Sequence, residues 1–351
     1  MRTRQLGQSE LHVPVVIFGA WAIGGWNWGG TDDETSIRAI QTAIDCGMNA
    51  IDTAPVYGFG HSELVVGRAL KGRREHAIVM TKVGLRWDDI RGEKYFETVD
   101  GNGQKQEIYK NSRPWSVYQE VEHSLKRLQI ERIDLVQVHR PDPTTPIAET
   151  MYALAELRRQ GKLRAIGVSN FTREQLIEAK TGLGDVPLAS EQPKYNLVSR
   201  EIEQDILPWA RENQVGVIAY SPMEQGLLTG KVGPERVFPA DDGRAKRPTF
   251  TPENRARVNA LLERVVRPIA DAHGATIGQT VLAWTIDQPG ITSAIAGART
   301  SEQVLENAKA GDIVLTPVEL ATIRSAFEAL ELDLPHKPGP IKSAIKRMLG
   351  R

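Results

Sequence analysis

The sequence lacks several features that would assign it to a class at once. Its 351 residues include a single cysteine, Cys46, which can form no internal disulfide and cannot by itself complete a structural zinc site. Neither sign of charge is in excess, because 44 basic side chains balance 44 acidic ones. Nucleic-acid binding therefore loses its usual first indication, a basic surface, and we expect no nucleic-acid partner.

Long hydrophobic runs are also absent. No stretch approaches the roughly 20 apolar residues of a membrane-spanning helix, and the first ten residues, MRTRQLGQSE, contain no apolar core of a secretory signal. With the single cysteine, which favours a reducing compartment, this predicts a cytoplasmic protein with no membrane partner. The composition, 40% hydrophobic and 25% charged, is that of an ordinary globular protein, and it leaves the oligomeric state open.

Short apolar runs alternate with longer segments of helical period, the pattern of βα units around a parallel sheet. Thr31 with Glu34 predicts a capping box that opens the first helix, and Gly161 predicts the end of the fourth. The apolar runs predict eight strands, over residues 15–19, 48–52, 77–81, 133–139, 164–169, 187–192, 215–220 and 291–297.

Eight strand and helix pairs without a flexible linker predict one α/β domain over residues 1–330, a (β/α)8 TIM barrel with extra helices at its C-terminal end. A doubly wound sheet would need a G-x-G-x-x-G turn, and neither Gly58-Phe59-Gly60 nor Gly101-Asn102-Gly103 continues correctly. Residues 4–7 and 11–14 predict an N-terminal β-hairpin at the bottom of the barrel. Residues 331–351 predict a basic, proline-containing tail, solvated rather than membrane-bound.

Two long connections, residues 83–113 and 222–250, interrupt the regular spacing, and such loops are usually functional lids or binding loops. Reactive groups of a TIM barrel lie where the strands end, because the following loops form one face. Polar residues and one glycine stand at these ends, and we expect them to share one mouth: Asp52, Lys82, His139, Ser169, Asn170, Glu191, Gln192, Tyr220, Ser221 and Gly297.

Several kinds of catalysis find no motif among these residues. There is no H-E-x-x-H and no Cys/His cluster, so no metal is expected, and the G-x-S-x-G turn of a hydrolase is missing. The segment GLLTGKV at 226–232 is one residue short of a phosphate-binding P-loop. A Schiff base on Lys82 would require a neutral amine, whereas a neighbouring Asp52 favours the ammonium form.

Tyr57, five residues after Asp52, suggests a different chemistry. A phenol with a pKa of about 10 is a poor acid unless a fixed positive charge stabilises its phenolate, and Lys82 could supply that charge. Asp52 would hold Lys82 in place, and His139 would orient a carbonyl oxygen towards the Tyr57 hydroxyl. These four side chains predict a reaction in which an oxygen is protonated while another group adds to the attached carbon, as in carbonyl reduction.

The chain resembles the aldo-keto reductase superfamily from about residue 2 to residue 328. The segments that carry the resemblance are FGAWAIGG, AIDTAPVYGFGHSE, VMTKVG, SLKRL with ERIDLVQVHRPD, GKLRAIGVSNF, AYSPMEQGLLTGK and AGARTSEQVLEN. The most similar branch is that of bacterial general stress protein and inositol-dehydrogenase-like enzymes, and potassium-channel beta subunits are more distant. The resemblance implies a barrel that binds NADP(H), with Tyr57 as proton donor, Lys82 as its partner, Asp52 as anchor and His139 as carbonyl orienter.

The resemblance also implies a set of cofactor contacts. Ser169, Asn170 and Gln192 would bind the nicotinamide carboxamide, Tyr220 would stack on the ring, and Arg299 would grip a 2′-phosphate, so that NADPH is preferred over NADH. The remaining implied cofactor positions are Ala20, Trp21, Asp52, Ser221, Pro222, Met223, Gly226, Leu227, Lys231, Arg244, Gly297, Gln303, Glu306 and Asn307.

Three tryptophans, Trp21, Trp28 and Trp87, are predicted to line a substrate pocket for a small carbonyl or hydroxyl compound. The sequence leaves the direction of the reaction open. Reduction of aldehydes or ketones by NADPH is the first hypothesis, and oxidation of a sugar or polyol by NADP+ at the same site is the second. A redox-sensing binding protein, similar to channel beta subunits, is the third. A metal-dependent or Schiff-base enzyme is a distant fourth.

Overall fold

Eight parallel strands close into a barrel in the computed structural model, which describes residues 1–25, 32–239 and 242–335. All eight coincide with the strands that the sequence predicts, so the TIM-barrel prediction is confirmed. Around the barrel the order is β3 (Val16–Gly19), β4 (Ala50–Asp52), β5 (Ile78–Val83), β9 (Ile133–Val138), β10 (Leu163–Ser169), β11 (Leu188–Gln192), β12 (Gly216–Ala219) and β13 (Ser293–Gly297).

Helices cover the outside of the barrel and bury their apolar faces against the strands. Helix α11 follows the last barrel helix, as the predicted C-terminal extra helix. The helices are α1 (Asp33–Asp45), α2 (His61–Ala69), α3 (Pro114–Leu128), α4 (Ile147–Arg159), α5 (Arg173–Leu183), α6 (Ile206–Glu212), α7 (Pro252–Leu261), α8 (Arg267–Ala272), α9 (Ile277–Ile286), α10 (Ser301–Lys309) and α11 (Pro317–Glu328).

Two predicted helix boundaries have different outcomes. Asp32 caps α1, since its side chain accepts the Thr35 N–H at 2.7 Å, whereas Thr31, the predicted cap, lies outside the described residues. Gly161 follows α4 with a φ of +77°, a left-handed conformation that suits glycine and ends the helix. Most of the predicted tail, residues 336–351, is likewise outside the described part of the chain.

The N-terminal hairpin closes the lower end of the barrel, as predicted. Strands β1 (Thr3–Gln5) and β2 (His12–Pro14) pair antiparallel. Val13 on β2 and the flanking residues Leu6 and Leu11 are almost fully buried and pack with one inward side chain from each barrel strand. The interior below the mouth is therefore filled with apolar side chains, which leaves the upper end for polar groups.

The connection over residues 83–113 contains secondary structure that the sequence analysis does not predict. Strands β6 (Leu85–Arg86), β8 (Lys105–Lys110) and β7 (Glu93–Val99) form a three-stranded antiparallel sheet beside the barrel mouth. The turn between β7 and β8 is held by Asp100, whose carboxylate accepts the N–H groups of Asn102 and Gln104 at 2.9 Å each. Charged residues alternate with larger ones here, so the sequence shows no apolar run.

No helix in the described ranges is long and apolar enough to cross a membrane.

Candidate active site

A buried ion pair lies at the centre of the barrel mouth. Lys82 Nζ donates to Asp52 Oδ1 at 2.6 Å and to the Thr53 carbonyl at 2.9 Å, and both charged side chains are nearly inaccessible to solvent. The other Asp52 oxygen accepts the Gln192 and Gln137 amides at 2.9 and 3.4 Å. Burial by itself lowers the pKa of Lys82, but the Asp52 carboxylate and the Tyr57 phenol outweigh it and raise that pKa, so the amine stays charged.

Tyr57 lies above this pair on the turn that follows β4. The turn is tight: Gly60 N–H donates to the Pro55 carbonyl at 2.7 Å, and a Cβ on Gly58 would lie 2.1 Å from the Gly24 carbonyl oxygen, so only glycine fits. Lys82 Nζ lies 5.0 Å from the centre of the Tyr57 ring. The sequence-predicted quartet is completed by His139, whose ring meets the Tyr57 ring edge-on at 5.7 Å between centroids.

The pKa shifts of the two rings correct one part of the sequence analysis. Burial raises the pKa of Tyr57, and the positive charge of Lys82 opposes this rise without reversing it, so the phenol is protonated at neutral pH rather than unusually acidic. Burial and the nearby cations Lys82 and Arg140 hold the pKa of His139 well below its usual range. A neutral imidazole and a neutral phenol therefore face the same space, and each can donate a hydrogen bond to an oxygen.

A chain of polar groups follows along the rim. Ser169 Oγ donates to the Gln192 carbonyl at 2.7 Å, the Asn170 amide donates to Ser169 Oγ at 2.8 Å, and the Tyr220 hydroxyl donates to Asn170 Oδ1 at 2.9 Å. Asn170 has a φ of +62°, which turns the chain at the end of β10. These contacts fix the orientation of the amide and hydroxyl groups that the resemblance implies for a nicotinamide.

The loop after β12 has an unusual backbone. Ser221, Glu224 and Gln225 have φ values of 54°, 43° and 53°, a region that side chains other than glycine rarely adopt. The Glu224 carboxylate is buried, accepts from Lys194 Nζ at 2.8 Å and from the Asn196 amide at 2.6 Å, and so ties this loop to the chain after β11. The strained backbone is thus held by an ion pair in which the carboxylate is buried and the Lys194 side chain is partly exposed.

A cavity of about 720 Å³ runs from this rim past the loop to the start of α10. It brings together most of the predicted site residues. Those lining it are Trp21, Asp52, Tyr57, His139, Ser169, Asn170, Gln192, Tyr220, Ser221, Pro222, Met223, Gly226, Lys231, Arg244, Gly297, Arg299, Gln303, Glu306 and Asn307.

Several predicted residues lie elsewhere. The side chains of Ala20 and Leu227 pack in the apolar core, and Lys82 lies beneath the cavity rather than on its wall. Trp87 does not line the cavity, contrary to prediction, because its half-buried ring packs edge-on against Phe59 with 6.1 Å between the ring centroids. Trp28 lies outside the described residues.

The end of the cavity near α10 is basic. The cations that line this part of the cavity or approach it are Lys231, Arg236, Arg244, Arg247 and Arg299, of which Arg244 is paired with Asp242 at 2.6 Å. Lys231 Nζ contacts both oxygens of Glu306, at 2.7 and 2.9 Å, and thereby bridges the long loop and α10. The positive charge and the N-terminus of α10 suit a phosphorylated ligand.

Several residues at the mouth are not among those that the sequence predicts. Gln137 lies inside the predicted strand over 133–139 and contacts Asp52 and Gln192, and a glutamine within an apolar strand is a signal for such an inward polar contact. Tyr95 and Phe96 reach the cavity from the unpredicted strand β7, and Arg140 and Lys194 each stand one or two positions beyond a predicted strand end. No group of three or more potential metal ligands occurs within the described ranges.

Comparisons with known proteins agree with this geometry. The aldo/keto reductase family model matches residues 15–328. Aldo-keto reductase YhdN of Bacillus subtilis is 40% identical over 306 residues, 87% of each chain. The NADH-specific methylglyoxal reductase of Escherichia coli is 39% identical over 338 residues, covering 94% of this chain and all of the relative.

More distant and structural relatives extend the comparison. A probable voltage-gated potassium channel subunit beta of Arabidopsis thaliana is 31% identical over 342 residues, 94% of this chain and 97% of its own. The structure of the glycerol dehydrogenase AKR11B4 from Gluconobacter oxydans superimposes with a TM-score of 0.84 at 39% identity, covering 96% of this chain and 98% of that one. The chain therefore belongs to the aldo/keto reductase family.

Proposed function

We propose that the protein is an NADP(H)-dependent oxidoreductase that interconverts an aldehyde or ketone and the corresponding alcohol. The observation that carries the proposal is the arrangement of Tyr57, His139 and the Lys82–Asp52 pair at one mouth, where the cavity begins. The bound nicotinamide supplies or accepts the hydride in such a reaction.

The four side chains have distinct roles in this proposal. The Tyr57 hydroxyl gives its proton to the substrate oxygen in reduction and takes it back in oxidation. Neutral His139 donates a hydrogen bond to the same oxygen and orients the carbonyl. Lys82 stabilises the phenolate that forms on Tyr57, and Asp52 holds the ammonium in place. The buried ammonium also disfavours a Schiff base, which would require the neutral amine.

The basic end of the cavity supports a preference for NADPH. Arg299 stands just before α10 and lines the same cavity as Arg236, Arg244 and Arg247, so that cations are available to a 2′-phosphate. The related Escherichia coli enzyme is named NADH-specific, so the preference must be measured. We expect kcat/KM for NADPH to exceed that for NADH in the wild-type protein and the ratio to fall about 10-fold or more in Arg299→Ala.

The Tyr57→Phe variant tests the proposed proton donor. Consumption of NADPH with a panel of activated aldehydes is followed by absorbance, and the variant should lose about 10²- to 10⁴-fold in kcat. Cofactor affinity, measured by quenching of protein fluorescence, should change little because the ring remains. Tyr152→Phe, on the exposed face of α4, is the matched control and should be fully active. Full activity of Tyr57→Phe would overturn the assignment.

A second candidate uses the same site as a dehydrogenase of polyols or sugars, and the 39% identical glycerol dehydrogenase favours it. Formation of NADPH from NADP+ with glycerol, inositols and aldoses tests it. A redox-sensing role like that of a channel beta subunit has less support, because Asp52, Tyr57, Lys82 and His139 are all present and in contact.

A further inference from the structure

Arg140 is a cation at the substrate mouth to which the proposed reaction gives no task. It follows His139 directly at the end of β9 and lines the cavity, half-buried. Its guanidinium carbon lies 5.6 Å from the centre of the Tyr95 ring on β7. It also lies close enough to the Tyr220 phenol for its positive charge to oppose the rise that burial causes in that group's pKa. The guanidinium thus stands between the β7 strand and the rim of polar groups.

The cations at this end of the cavity differ in whether a carboxylate pairs with them. Lys82 is neutralised by Asp52 at 2.6 Å, and Lys194 is neutralised by Glu224 at 2.8 Å. Arg140 has no carboxylate within ion-pair distance among the residues that the structure describes. His139 is uncharged, because burial and the neighbouring cations hold its pKa well below the usual range. Arg140 is therefore a positive charge at the mouth that lacks a carboxylate partner in the described part of the chain.

An uncompensated charge in a partly buried cavity is costly unless a ligand supplies the counterion. A guanidinium has a planar fork of N–H donors, which fits a carboxylate or a phosphate at two points. Arg140 lines the cavity, and no carboxylate in the described part of the chain forms an ion pair with it. A substrate that carries an anionic group would complete the charge balance, whereas a neutral one would leave Arg140 unpaired.

We propose that Arg140 is a specificity-determining residue that selects carbonyl substrates bearing a carboxylate or phosphate group. The anionic group binds the guanidinium, while the carbonyl oxygen lies between Tyr57 and His139. The inference rests on the proposed function, since it assumes that a carbonyl is reduced at this mouth. The anion takes no part in the chemical step and only orients the substrate.

Matched substrate pairs measure this selectivity. One pair is succinic semialdehyde and butyraldehyde, which tests a carboxylate, and the other is glyceraldehyde 3-phosphate and glyceraldehyde, which tests a phosphate. The measured quantity is the ratio of kcat/KM for the charged member to that for the neutral member at saturating cofactor. We expect a ratio of about 10 to 100 for at least one pair in the wild-type protein, the range of one charged hydrogen-bonded contact. The pair with the larger ratio identifies the anion.

Variants then assign the selectivity to Arg140. In Arg140→Gln the ratio should fall to near one, and in Arg140→Lys it should lie between the two values, because the charge remains without the fork. Since both substrates meet the same enzyme, the ratio cancels any general effect on His139 or on folding. Arg236→Gln is the matched control: it removes a cation from the basic end of the same cavity, and its ratio should stay within about twofold of wild type.

The outcomes separate the inference from the proposed function. If the wild-type protein reduces no aldehyde of either kind, the proposed function fails. If kcat/KM for the neutral aldehyde equals that for the charged aldehyde in both pairs, the role of Arg140 is overturned while the proposed function stands. The same conclusion follows if Arg140→Gln keeps the wild-type ratio. A wild-type ratio of at least about 10 that is lost in Arg140→Gln and kept in Arg236→Gln supports the inference.

Discussion

In the proposed reaction, the protonation state of Tyr57 sets how the rate of each direction depends on pH. Burial raises the pKa of its phenol above the ordinary value, and Lys82 only partly offsets the rise. If Tyr57 is the proton donor as proposed, reduction requires the protonated phenol, which predominates below that pKa. Oxidation requires the phenolate, which becomes more populated as pH rises towards that pKa.

The two directions should therefore show opposite pH profiles. We expect kcat/KM for aldehyde reduction to be flat from about pH 6 to 8 and to fall only at alkaline pH, and kcat/KM for alcohol oxidation to rise throughout. His139 adds no acidic limb in this range, because its pKa is held well below the usual value. Initial rates in a constant-ionic-strength buffer series measure both profiles. A loss of reduction as pH falls from 7 to 6 would contradict the neutral-imidazole assignment.

The Lys82–Asp52 pair makes a separate prediction about stability. Lys82→Met leaves the buried Asp52 carboxylate without its cation, and breaking a buried pair in this way costs about 3–5 kcal/mol. The double variant Asp52→Asn/Lys82→Met buries no net charge and should recover most of this free energy of unfolding, measured by urea denaturation. Both variants should be about equally inactive, because both lack the ammonium beside Tyr57. A double variant no more stable than the single would show that the pair is not coupled.

The residues of the mouth differ in how readily the sequence reveals them. Asp52, Lys82 and His139 could be predicted, since each interrupts an apolar run where a barrel strand ends. The direction of the Tyr57 pKa could not, because it depends on how deeply the ring is buried, which spacing does not record. Trp87 shows the same limit: its place in a long loop does not reveal that its ring packs against Phe59.

At the scale of elements, the loop after β12 depends on one buried carboxylate. Glu224 has a φ of 43° and holds Lys194 and Asn196. Glu224→Ala removes the tie that keeps the strained loop in its conformation and should raise KM for the cofactor by about 10-fold or more, with a smaller change in kcat. Glu224→Gln keeps an acceptor for Asn196 and should be milder. The exposed Glu235→Gln on the same connection is the matched control.

A direct measurement of cofactor affinity shows whether Glu224→Ala acts on the conformation of the loop after β12 or on the folding of the whole protein. Fluorescence titration should show weaker cofactor binding in Glu224→Ala, while the melting temperature falls only modestly. If Glu224→Ala binds the cofactor as tightly as the control does, then the Glu224–Lys194 ion pair does not set the conformation of the loop. The length of the connection over 222–250 predicts a functional loop, but positive φ values and a distant ion-pair partner such as Lys194 leave no periodic signal in the sequence.

The β7–β8 hairpin shows why an element was missed while the barrel was not. Barrel strands are buried on both sides and appear as continuous apolar runs. Strand β7 has the sequence EKYFETV and lies largely exposed at the rim, where lysines and glutamates are tolerated on both faces. It nevertheless brings Tyr95 and Phe96 to the cavity, so the wall of the substrate mouth was the part of the site least accessible to sequence reasoning.

At the scale of the whole molecule, the barrel separates stability at one end from chemistry at the other. The hairpin residues Leu6, Leu11 and Val13 fill the lower interior, while Asp52 and Lys82 occupy the upper end. Leu6 is fully buried and lies so close to β12 that a Cβ on Gly216 would meet Leu6 Cδ1 at 2.6 Å. A side chain packed this tightly leaves a cavity when it is shortened.

Leu6→Ala should therefore lower the free energy of unfolding by about 2–5 kcal/mol, the range for a leucine truncated in a well-packed core. At a temperature where the variant remains folded, kcat/KM for any aldehyde that the protein reduces should stay within about twofold of wild type, because the substitution lies below the filled interior and away from Tyr57. Leu305→Ala, on a half-exposed position of α10, is the matched control and should cost under about 1 kcal/mol. Urea denaturation followed by circular dichroism measures both. A Leu6→Ala variant as stable as the control would mean that the hairpin covers the lower end of the barrel without contributing to its free energy of unfolding.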